Sequence, residues 1–185
     1  MNRRDLVTLL SGAAAAPLLD GLSPAKLRAA GARAHARTGR PLQVLDPHQR
    51  ETVATIAEMI IPETDTPGAR AANVDAFADV LLAEWYDAPD RDRFLAGLAA
   101  IDERSRALFG ADFLGCTEPQ RTAMLAGLDA EVEALRAAQA KPNEHFFSRL
   151  KWLAVFGYFT SEVGMTQELH WRVIPGVYEP CVERP

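Results

Sequence analysis

Three observations predict an all-α fold, a compact helical domain with an extended C-terminal arm. Apolar residues recur at helical spacing in successive segments, and no stretch shows the two-residue alternation of a half-buried strand. The third is residues 146–164, apolar around nearly the whole helical circumference. Phe146, Leu150, Leu153 and Gly157 form one stripe, with Phe147 and Ala154 beside it, and Trp152, Val155, Phe156, Phe159 and Val163 cover most of what remains. A helix of this kind is buried on most faces, so about 146–163 is the expected centre of the domain. Arg149, Lys151 and Glu162 interrupt it, which argues against a membrane span. Gly157 has no side chain to hold a neighbour off, so a ring or backbone is expected to approach there.

The elements around this centre follow in order. Asp46, Pro47 and Gln49 make a capping-box start for a helix whose inward stripe is Val53, Ile56, Ala57 and Ile60, ending at Pro62. Residues 62–69, Pro-Glu-Thr-Asp-Thr-Pro-Gly-Ala, read as a rigid turn in which two prolines fix φ and Asp65 accepts backbone hydrogen bonds. Asn73 is expected to cap the next helix, which carries Val74, Phe77, Leu81 and Trp85 on one face. Asp90 is expected to start another with Phe94, Leu98, Ile101 and Leu108 inward and Gly110 as its stop. Thr117 and Gln120 form a second capping box before Met124, Leu128, Val132 and Leu135. The arm, 165–185, places Trp171, Ile174, Val177 and Tyr178 among Pro175, Gly176 and Pro180. It either folds back over the domain or docks on a partner, because large apolar groups need cover.

Residues 1–36 stand apart as an export signal and linker, leaving 37–185 as the domain. Arg3 and Arg4 precede a weakly apolar stretch from Leu6 to Leu19, the layout of a twin-arginine signal and hence of a periplasmic protein; a plain amphipathic helix is the competing reading. Cleavage after Ala16, Ala32 or Ala36 and an uncleaved signal all remain open. The formal charge is −5, and the first 36 residues hold five Lys/Arg against two Asp/Glu, so the body is more acidic still. With no Lys/Arg cluster, it suits neither nucleic acid nor an anionic membrane surface.

Signals for catalysis are few. His35, His48, His145 and His170 are isolated, the glycines form no phosphate loop, and two cysteines cannot hold an iron-sulfur cluster by themselves. Ser161 and Glu162 beside Tyr158 read more readily as capping or hydrogen-bonding groups than as acid-base machinery. No catalytic, cofactor-binding or metal residue is therefore assigned in this chain.

Two separated motifs carry a family resemblance. Ile60-Ile61-Pro62, Thr64-Asp65-Thr66-Pro67-Gly68-Ala69 and Phe77, with Phe146-Phe147, Gly157-Tyr158-Phe159-Thr160-Ser161-Glu162-Val163-Gly164, Pro175-Gly176, Tyr178 and Cys181, resemble the gluconate 2-dehydrogenase subunit 3 family. The likeness runs from about Leu45 onward, is thin between 87 and 143, and departs at Asn73, where a small residue such as glycine is expected. It implies a noncatalytic accessory subunit that binds, stabilises and co-exports a large flavoprotein of the glucose-methanol-choline type. The FAD would sit in that partner and haem c in a cytochrome c subunit, with Thr64, Asp65, Thr66, Pro67, Gly68, Tyr158, Glu162, Trp171 and Tyr178 serving structure or partner binding. A free-standing secreted helical enzyme using Tyr158, Glu162 or a histidine is the alternative.

Cys116 and Cys181 are the only cysteines, and in an oxidising compartment such a pair is expected to be bonded. They join each other, or Cys181 bonds the large subunit.

Overall fold

Local chemistry sets each helix end in the computed structural model, which describes residues 43–141 and 144–171. Helix α1 spans Pro47–Ile60. Asp46 accepts the Gln49 amide at 2.8 Å while the Gln49 side chain accepts the Asp46 amide at 3.0 Å, so the capping box is formed as read from sequence. Helix α2 is Val74–Glu84, α3 is Ala88–Phe109, α4 is Glu118–Ala137 and α5 is Phe146–Phe159; a π-helical turn, Gly164–Glu168, follows. No strand occurs among the described residues.

Helix α5 lies at the centre and packs against α1, α2, α3, α4 and the π-turn. Ile56, Phe77, Leu81, Phe94, Leu98, Phe113, Leu150 and Leu153 form the main core, each worth about 1.5–3 kcal/mol of apolar burial. A smaller core joins Ala57, Ala69, Ala72, Val74, Ala154 and Tyr158. Its small residues let the chain after α1 sit close against α5. Gly157 does the same for α2, because a Cβ there would lie 2.8 Å from Cδ1 of Phe77.

Several expectations shift in detail. Asn73 makes no side-chain cap and instead takes the left-handed conformation, φ 52°, which explains why a residue such as glycine suits that position. Helix α3 begins earlier than Asp90: Asp87 is its cap and accepts the Asp90 amide at 2.8 Å. Leu108 is 60% exposed rather than inward. The inward face of α3 runs through Phe94, Leu98, Ile101, Asp102 and Ser105, and Phe109 continues it, so Leu108 falls to the outer side. Gly110 does close the helix, at φ 78°.

Helix α5 ends at Phe159, four residues short of the expected limit at 163. The Thr160 hydroxyl donates to Phe156 O at 2.7 Å and the Ser161 hydroxyl to Tyr158 O at 2.6 Å, competing with the helical ladder. The arm therefore starts as a π-turn and not as extended chain. Arg3, Arg4, Tyr178 and Cys181 lie outside the described residues.

Candidate functional site

The loop between α1 and α2 begins where α1 runs out of helix formers and doubles back on that helix's last turn. Glu58, inside that last turn, receives two loop amides: Oε1 accepts from Glu63 N at 2.9 Å and Oε2 from Arg70 N at 2.8 Å. Ala69 N donates to Ile61 O at 3.0 Å and Thr64 N to Thr66 O at 3.0 Å, so the turn is closed at its base and at its tip. Gly68 sits inside this clamp; a Cβ there would lie 2.6 Å from Glu58 Oε2 and 2.6 Å from Glu63 N. Only glycine fits without displacing the carboxylate.

Helix α5 supplies the other wall. Tyr158 is buried and its hydroxyl donates to Pro67 O at 2.8 Å. Burial raises its pKa above the ordinary phenol value, so the group stays protonated and able to donate at neutral pH. Thr66 Oγ1 donates to Glu168 Oε2 at 2.7 Å, tying the loop to the π-turn as well. Ser161 is buried, donating to Tyr158 O and accepting Gly164 N at 3.0 Å. Gly164 needs its missing side chain, since a Cβ would lie 2.9 Å from the carbonyl carbon of Tyr158.

The residues singled out from sequence thus divide into two groups. Thr66, Pro67, Gly68 and Tyr158 meet in one hydrogen-bonded unit. Thr64 and Asp65 lie at its exposed tip, where the Thr64 hydroxyl donates to Asp65 at 2.9 Å. Glu162 is exposed one turn before Thr166, whose hydroxyl its carbonyl accepts at 2.7 Å. Trp171 is 50% exposed just beyond the π-turn. The unit is a means of holding a loop shape: its phenol, its hydroxyls and the Glu58 carboxylate bond mostly to the chain's own backbone.

Sequence reasoning did not single out Glu58, nor three buried aspartates. Asp79 accepts the amides of Gln43, Val44 and Leu45, each at 2.9 Å, and so fixes the entry to the domain on α2. Asp102 accepts Phe113 N at 3.0 Å and faces His48 Nε2 at 2.6 Å, giving that histidine a partner. Asp75 pairs with Arg50 at 2.5 Å. The available signal was an acidic residue on the apolar face of a helix, where a buried charge requires a partner.

Arg50 and Asp75 line an open cleft of about 440 Å³ with Pro47, Glu51, Ala54 and Arg70. Arg70 bonds Glu51 at 2.6 Å and Thr55 Oγ1 at 2.8 Å, and this pairing holds the Glu51 carboxyl below its usual range. Both arginines in the cleft are already matched by acids, so it ties α1 to the loop exit and to α2. Cys116 is buried before α4, with Sγ 3.8 Å from Ala111 O, and has no disulfide partner among the described residues; the expected pairing with Cys181 falls outside them. No group of three His, Cys, Asp or Glu among the described residues is placed to hold a metal, and no helix there is long and apolar enough to cross a membrane.

A family model described as Gluconate 2-dehydrogenase subunit 3 matches residues 25–176. No curated protein and no solved structure matches the chain.

Proposed function

Starting from the fact that the chain belongs to the gluconate 2-dehydrogenase subunit 3 family, we propose that it is the noncatalytic small subunit of a periplasmic flavoprotein dehydrogenase that oxidises a sugar, polyol or sugar acid. It binds the large flavin subunit, stabilises it and carries it across the membrane in folded form under the Arg3-Arg4 signal. The flavin belongs to that partner, of the glucose-methanol-choline type, and a cytochrome c subunit takes the electrons. One observation carries this reading. The motif segments around Thr66-Pro67-Gly68 and Tyr158 close into one unit through the Tyr158 to Pro67 bond of 2.8 Å. Its polar groups are largely taken up in fixing a loop for presentation. A preorganised loop binds a partner without first being ordered.

The test is expression of the full-length chain alone, together with a glucose-methanol-choline-type flavoprotein subunit from the same genome, and as the Arg3→Lys, Arg4→Lys double variant with that subunit. Flavoprotein recovered with the wild type, soluble and periplasmic, and retained in the cytoplasm with the double variant, is the expected result. Sugar or polyol oxidation by the isolated chain, or normal export of both proteins by the double variant, would overturn it.

A further inference from the structure

We draw no further inference here: the strongest candidate, the open cleft between α1 and α2 lined by Arg50, Glu51, Arg70 and Asp75, carries nothing beyond its structural role, because each arginine is already paired with an acid of this chain, Arg50 with Asp75 and Arg70 with Glu51, and nothing in the structure points to a ligand there.

Discussion

Tyr158 and Pro67 stand 91 positions apart in sequence and are joined by a single hydrogen bond of 2.8 Å, from a phenol whose side chain is only 2% exposed. The pair links the central helix, which carries one of the two family motifs, to the loop that carries the other. Its strength decides how rigidly that loop is held.

Replacing Tyr158 by Phe keeps the ring and removes the donor. The expected loss is about 1 kcal/mol, the usual net worth of one such bond. The pH response has a definite sign. Burial raises the phenol above the ordinary tyrosine range, so the folded state holds the proton more tightly than the unfolded chain. The contribution is full below about pH 10 and is lost as pH rises through the folded value. Tyr86, pushed up to about 12 by burial, acts in the same direction. Urea unfolding from pH 8 to 11 should therefore show stability falling at the alkaline end for the wild type, and less steeply for Tyr158→Phe. Identical slopes would remove Tyr158 from the account.

Glu58 and Asp65 make different demands on the loop. Glu58 accepts two backbone amides, from Glu63 and Arg70, whereas Asp65 is exposed at the tip and accepts the Thr64 hydroxyl. Glu58→Ala is expected to cost about 2 kcal/mol and Asp65→Ala no more than about 1. Denaturant midpoints for the two variants decide the order, and the reverse order would mean that the tip, not the base, holds the turn.

Gly157 faces Phe77 so closely that a Cβ would lie 2.8 Å from its ring. The ring is fully buried and cannot swing aside freely. Alanine gains about 1 kcal/mol in helix propensity but overpacks the α2–α5 contact at a cost of about 1–3 kcal/mol. Net destabilisation of Gly157→Ala is expected, measured as a lower melting temperature. A rise would show that Phe77 has room to move.

Ser105 is fully buried on the inner face of α3, and its hydroxyl finds no hydrogen-bond partner. An unsatisfied hydroxyl costs about 1–3 kcal/mol, and alanine is also the better helix former. Ser105→Ala should raise the stability by about 1 kcal/mol or more. Calorimetry that finds the variant less stable would point to a water bonded to the hydroxyl.

The sequence by itself determined what depends on neighbours a few positions away. Asp46 with Gln49, Gly110 at the end of α3 and the all-round apolar 146–159 segment are short-range facts, set by capping geometry, positive φ and helical period. They fixed the all-α class and the identity of the central helix. Tertiary structure decided which partner each buried polar group found: Glu58 with amides across the turn, Asp79 with the amides of residues 43–45, Asp102 with His48 and Phe113 N, and Tyr158 with Pro67. It also decided small rotations that periodicity leaves open, such as Phe109 turning inward and Leu108 outward. The physical reason is range. A helix cap is satisfied within its own turn, whereas a buried carboxylate or phenol must be met by whatever group the fold brings within about 3 Å, and nothing local in the chain specifies that group.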